Sequence, residues 1–186
     1  SANDAWRRCG LDSRLAAANT IDAIDMKPPK YSLPEIERRW LVPDTGLAQL
    51  ASRPYRIIED VYVAGTLLRL RVVREPDGET IYKLCKKYGR HDALANPITN
   101  IYLTEEEHLV LSALPGACVR KRRHAMPEGA IDVYPAPLSL AIFEMEFDSE
   151  QAAANYIPPS FAGAEITDDI AYAGDALALR FAQARS

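Results

Sequence analysis

Along most of the chain, polar and apolar residues alternate with a period of two, the repeat of strands that turn one face to a core and the other away from it. From Glu35 onward this alternation predicts strands over 35–42, 57–63, 67–73, 80–87, 98–103, 118–124, 131–134 and 140–147. Eight strands is a number suited to a small closed barrel. Pro76-Asp77-Gly78 is a turn signal that joins the third and fourth strands as a hairpin. Helices are expected in the gaps. Thr104 with Glu107 is a capping box opening a helix toward Ala113, Asp148 with Gln151 opens another over 149–156, and Asp175 caps an amphipathic helix over 176–184. Residues 1–33 read differently: Asn19-Thr20, Pro28-Pro29 and Pro34 leave room only for a short helix around 11–18. That stretch reads as an N-terminal extension to one domain over 34–186.

Composition narrows the function classes. A chain of 186 residues, 48% hydrophobic and 26% charged, is an ordinary globular protein with one sizeable core. Its net charge of −4 argues against nucleic acid as a partner. The basic run 120–123 lacks interleaved aromatic platforms, and half of it should point outward. A small anion remains open, because it responds to local charge. No apolar run is long enough to cross a membrane, and the first residues lack the apolar stretch of a signal peptide. Cys9, Cys85 and Cys118 are odd in number and far apart, which implies neither a zinc site nor a disulfide framework and points to the cytoplasm. Cys85 reads as a packing thiol, His91, His108 and His124 have no ligand spacing, and the glycines form no phosphate loop. A homodimer is left open.

The strand faces carry the chemistry. Glu35, Glu37 and Arg39 share one face of the first strand, and Arg69 and Arg71 share one face of the third. Lys83, Cys85 and Lys87 lie together on the fourth, Lys121 and Arg123 on the sixth, Glu144 and Glu146 on the last. Any one of these faces alone is read most simply as a solvated surface. The sorting of signs argues otherwise, with acids on the first and last strands and bases on the middle ones, whereas a solubility surface intersperses them. If the sheet closes, four carboxylates meet, and they repel one another unless a hard divalent cation such as Mg²⁺ or Mn²⁺ sits among them. The facing bases would then hold phosphate oxygens. Alternation does not say whether this polar face is inside or outside.

On these residues the chain resembles the CYTH superfamily of triphosphate tunnel metalloenzymes, which groups class IV adenylate cyclases with thiamine and inorganic triphosphatases. The Glu-x-Glu-x-Lys hallmark stands here as Glu35-Ile36-Glu37-Arg38-Arg39, and Arg-x-Arg as Arg69-Leu70-Arg71. The later basic strand is Lys121-Arg122-Arg123, and Glu-x-Glu-Phe is Glu144-Met145-Glu146-Phe147. The tail keeps Glu165-Ile166-Thr167, Tyr172 and Leu177-Ala178. The resemblance implies a mainly β, eight-stranded antiparallel barrel forming a tunnel, with flanking helices and charged faces inward. It implies Mg²⁺ or Mn²⁺ held by Glu35, Glu37, Glu144 and Glu146, with Asp132 a further candidate. Arg39, Arg69, Arg71, Lys87, Lys121 and Arg123 would grip a triphosphate or polyphosphate. Asp60-Val61-Tyr62 is similar to the Asp-x-Tyr of the thiamine triphosphatase branch, which puts Tyr62 and Lys87 nearest the chemistry.

Four positions depart from the pattern. Arg39 stands for the signature Lys, Ile98 and Asn100 stand where Arg-x-Glu is usual, and Ala171 replaces a basic residue before Tyr172. Arg90 is a candidate to compensate for the missing base. The leading expectation is metal-dependent hydrolysis of inorganic triphosphate, thiamine triphosphate or a nucleoside triphosphate. The alternatives are a phosphate-binding tunnel without turnover and an adenylate cyclase.

Overall fold

The computed structural model describes residues 29–88 and 95–184. Eight antiparallel strands close into a barrel: β1 (Leu33–Leu41), β2 (Arg56–Val63), β3 (Leu68–Arg74), β4 (Thr80–Lys87), β5 (Ala95–Leu103), β6 (Gly116–Ala125), β7 (Ala130–Tyr134) and β8 (Leu140–Glu146). The order around the barrel is β1-β5-β4-β3-β2-β6-β7-β8. Three helices are added: α1 (Glu105–Leu111), α2 (Glu150–Asn155) and α3 (Gly174–Gln183). The expected helix over 11–18 and Arg90 lie outside the described residues.

Closure runs through β1. Its first half pairs with β5, from Leu33 opposite Ile98 to Ile36 opposite Ala95. Its second half pairs with β8, from Glu37 opposite Glu146 to Leu41 opposite Ile142. Where β5 stops, the chain after α2 takes its place: Ile166 N–H donates to Arg39 O at 2.8 Å and Leu41 N–H to Ala164 O at 2.9 Å.

Most boundaries fall within a few residues of those expected, and the differences have physical reasons. β1 and β5 start earlier than expected, and Pro34 and Pro97 stand opposite each other in their pairing. Pro97 O still accepts from Tyr88 N–H at 3.2 Å. The β3–β4 turn forms as expected, with Gly78 at φ +95°. The capping box at Thr104 and Glu107 is present. The other two caps shift. Ser149, not Asp148, caps α2, its hydroxyl accepting from Ala152 N–H at 3.2 Å. α3 starts after Ala173 with no side-chain cap, and Asp175 lies inside its first turn. Cys85 is a buried free thiol as expected, but Cys118 is disulfide-bonded, which corrects the reading of the cysteines as unpaired.

Two apolar clusters frame the barrel. Outside it, Trp40, Val42, Ile131, Ala141 and Phe143 from β1, β7 and β8 are covered by Leu50, Tyr156 and Phe161. The second cluster is inside. Ala117, Val119, Tyr134 and Ile142 share their strand faces with Lys121, Asp132 and Glu144, and they pack on Leu177, Ala178 and Phe181 of α3. α3 therefore plugs one end of the lumen with hydrocarbon, and the charged residues occupy what remains.

Candidate active site

Inward and outward are now settled by contacts that cross strands. Lys87 on β4 reaches Glu35 on β1 at 3.4 Å, past the intervening β5. Arg123 on β6 reaches Glu144 on β8, past β7. Only a face turned into a closed lumen brings such pairs together, so the ionised side chains converge inside.

The basic side is built from neighbouring strands in register. Asp60 stands opposite Arg71, and Tyr62 opposite Arg69. Arg71 donates to both Asp60 oxygens, Nε at 2.6 Å and the terminal nitrogen at 2.8 Å. Asp60 is 1% exposed. Burial alone would push its carboxyl up, but Arg71 and Arg69 outweigh that and hold it well below the usual carboxylate range. Arg69 lies 3.9 Å from Asp60 Oδ1, and its buried Nε has no hydrogen-bond partner among the described residues. A buried cationic donor without an acceptor is costly unless a ligand supplies one.

On the next strands, Asp132 is fully buried and serves two bases. Arg123 donates to its oxygens at 2.7 and 2.6 Å, and Lys121 Nζ donates to Oδ2. Tyr134 Oη stands 3.4 Å from the same ammonium. Against the effect of burial, Arg123 and Lys121 keep the Asp132 carboxyl low. Both oxygens of this expected cation ligand are thus taken by bases.

The acidic side is less balanced. Glu35 is paired with Lys87, and that ammonium with Arg69 pulls its carboxyl down against burial. Burial would lower the Lys87 ammonium, and Glu35 more than offsets it, so the lysine stays charged. Glu37 is different. Burial, then the charges of Glu144 and Glu35, push its carboxyl up to about 6, which Lys87 and Arg39 only partly oppose. Glu146 stands opposite Glu37 in register at the exposed end of β8. Tyr62 is near this region, its hydroxyl pushed up by burial and by Asp60, so it stays protonated. No direct bond joins Tyr62 to Lys87 among the hydrogen bonds of the described residues.

Arg39 faces Glu144 across the β1–β8 pair. Its Nε is 3.7 Å from Glu37 Oε1 without a hydrogen bond, and its terminal nitrogens donate to Tyr172 O at 3.0 Å and Thr167 O at 3.3 Å. Asn100 and Ile98 stand opposite Cys85 and Lys87, so the two departures on β5 do fall on the lumen face.

Carboxylates gathered beside bases could hold a hard divalent cation with an anionic ligand, and burial together with the charges of Glu144 and Glu35 raises Glu37. The donors fit such a cation in charge and type. Among the described residues, however, no three of them are gathered to binding distance. Sequence reasoning missed Asp60 as a lumen acid, although its alternation with Tyr62 opposite Arg69 and Arg71 was the available signal. It also missed the carbonyls of Thr167 and Tyr172, which no side-chain pattern reveals.

The inorganic triphosphatase of Nitrosomonas europaea is 32% identical over 151 residues, covering 78% of this chain and 97% of that protein. No family model matches the chain. Two crystal structures, of a hypothetical protein and of an inorganic triphosphatase, match at 30% and 29% identity. They cover 78% and 79% of this chain and 97% and 95% of their own, with TM-scores of 0.49 and 0.48. Superpositions that loose carry no argument about the fold, which stands on the strand pairing above.

Proposed function

This chain belongs to the family of the Nitrosomonas inorganic triphosphatase, and from that premise we propose that it hydrolyses inorganic triphosphate, or a small organic triphosphate, with a divalent cation. The observation that carries the reading is the polarised lumen, with an undercompensated Glu37 on one side and Arg69 Nε without a hydrogen bond on the other. Arg69, Arg71, Lys87, Lys121 and Arg123 hold phosphate oxygens, and Asp60 and Asp132 keep the bases in position until substrate takes over part of their bonding. Glu35, Glu37, Glu144 and Glu146 hold Mg²⁺ or Mn²⁺. Asp132 joins them only if Lys121 and Arg123 turn from it to phosphate. When bound, the cation neutralises phosphate charge and makes water a better nucleophile.

What the chain itself contributes is positioning and charge rather than a covalent nucleophile. Lys87 stays an ammonium beside Glu35, and Tyr62 Oη keeps its proton and donates toward the anion. The hydrocarbon plug behind Tyr134 and Ile142 excludes water from that end. The wider CYTH assignment accompanies this reading, while the bonded Cys118 removes the cysteine argument for a cytoplasmic setting. No helix among the described residues is long and apolar enough to cross a membrane.

Phosphate release from tripolyphosphate, thiamine triphosphate and nucleoside triphosphates, with Mg²⁺ or Mn²⁺, tests the reading. Release by the wild type and its loss in Glu37→Gln is the expected result. A second reading, polyphosphate binding without turnover, is favoured by one observation: Ile98 and Asn100 leave the β5 lumen face uncharged. Tight binding with no release supports it, and formation of cyclic AMP from ATP would instead point to a cyclase.

A further inference from the structure

We propose that Arg39 is a positioning residue, which seats the chain's tail and the plug helix α3 against Tyr62, and not one of the groups that grip phosphate. The inference rests on the triphosphatase reading for what it says of turnover.

Four hydrogen bonds tie Arg39 to the tail. Its backbone N–H donates to Thr167 Oγ1 at 3.1 Å, and its carbonyl accepts from Ile166 N–H at 2.8 Å. Its guanidinium donates to Thr167 O at 3.3 Å and Tyr172 O at 3.0 Å, one nitrogen to each. Both terminal nitrogens are engaged with backbone, which leaves Nε, 3.7 Å from Glu37 Oε1 and without a hydrogen bond, facing the acid beside it. A fork with two separated nitrogens can bridge these two carbonyls, whereas the single ammonium of lysine presents one point of charge. Arg39 in the signature position thus matches what the tail presents, which is carbonyl oxygen.

The outer face repeats the device. Arg38 donates to both Glu165 oxygens, at 2.8 and 2.6 Å, and to Ala153 O and Tyr156 O at 2.8 and 3.0 Å. Glu165 accepts in turn from Thr167 Oγ1 at 2.8 Å. Two adjacent arginines therefore clamp one tail from opposite faces of β1.

The clamp leads to the site. Tyr172 ends a 3₁₀ turn (Ile170–Tyr172), and α3 starts two residues later at Gly174. Gly174 lies against the Tyr62 hydroxyl so closely that a Cβ there would overlap it. Any side chain at that place would force the Tyr62 ring to shift. At its other end Arg39 stands beside Glu37. One side chain therefore links the plug that locates Tyr62 with the acid whose charge is least compensated.

Arg39→Gln and Gly174→Ala test this. In Arg39→Gln, amide hydrogen exchange over α3 is expected to accelerate at least about tenfold, as expected for a loosened segment. Its affinity for tripolyphosphate without divalent cation, by calorimetry, should stay within about twofold, since no phosphate contact is lost. With Mg²⁺, kcat should fall about tenfold or more while KM moves less than about threefold, and Gly174→Ala should reproduce that split with every lumen charge intact. Arg39→Lys should leave exchange fast. A loss of metal-free binding of about tenfold or more, the size of one charge-assisted contact, overturns the proposal, as does unchanged exchange over α3. If Arg39→Gln fails to fold, Gly174→Ala decides: an unaltered kcat overturns the proposal. A wild type without turnover defeats the functional reading alone, because the exchange arm still judges Arg39.

Discussion

Replacing Glu37 by Gln should stabilise the protein at neutral pH in the absence of divalent cations, although the residue is expected to be essential for turnover. Burial and the charges of Glu144 and Glu35 push the Glu37 carboxyl up to about 6, from an unperturbed value of 4.5. The folded state therefore holds the proton more tightly than the unfolded chain does. At pH 4 both forms are protonated and nothing is lost. As pH rises through 4.5 the unfolded chain ionises first, and the folded state falls behind until its own carboxyl ionises near 6. Above that the penalty is constant, at about 2 kcal/mol. Gln removes it, and for a chain of this size that corresponds to a rise in Tm of about 4–8 °C. Thermal unfolding of both proteins in chelator, from pH 4 to pH 8, provides the measurement. The curves should coincide at the acid end and separate between pH 4.5 and 7. Saturating Mg²⁺ should then raise the wild type and leave the variant nearly unmoved. Equal Tm values across the range, or a variant that is less stable at pH 8, would refute the picture of a frustrated acid.

Other perturbations separate support from chemistry. Asp132→Asn leaves the buried Lys121 and Arg123 without their main counter-charge and should cost about 3–5 kcal/mol by urea unfolding at pH 7. The wild-type contribution of Asp132, whose carboxyl is held low, should be present above its unfolded value near 3.8 and fade on acidification below it. Phe143→Ala empties a site with no exposed surface between Trp40 and Phe161, and should cost about 3–5 kcal/mol in the same assay. Thr104→Ala removes the capping box of α1, on the barrel's outside, and should cost about 1 kcal/mol while phosphate release stays as in the wild type.

The barrel was legible because alternation with sorted charge is a strong local signal: Glu35, Glu37, Arg69, Arg71, Lys121 and Arg123 announced their shared faces before any strand was paired. What alternation could not supply was the sense of the faces, which only closure decides, as in the Lys87–Glu35 pair that bypasses β5. Local rules also misjudged positions whose environment is made elsewhere. Pro34 looks like a strand breaker, yet it stands within β1 opposite Pro97 of β5. Asp175 looks like a cap until Gly174 is found against Tyr62. Arg39 does stand on the lumen face with Glu37, but spacing could not show that its fork also meets the carbonyl of a residue 133 positions away. Asp132, expected as a further cation ligand, is occupied by two bases from the neighbouring strand.

If these converging charges form one site with a cation side and a phosphate side, a crystal soaked with tripolyphosphate and Mn²⁺ will show anomalous density for Mn²⁺ beside Glu35, Glu37 and Glu144, with phosphate oxygens within hydrogen-bonding distance of Arg69 Nε and Arg71. Phosphate bound only on the barrel's exterior, or Mn²⁺ remote from Glu37, would contradict it.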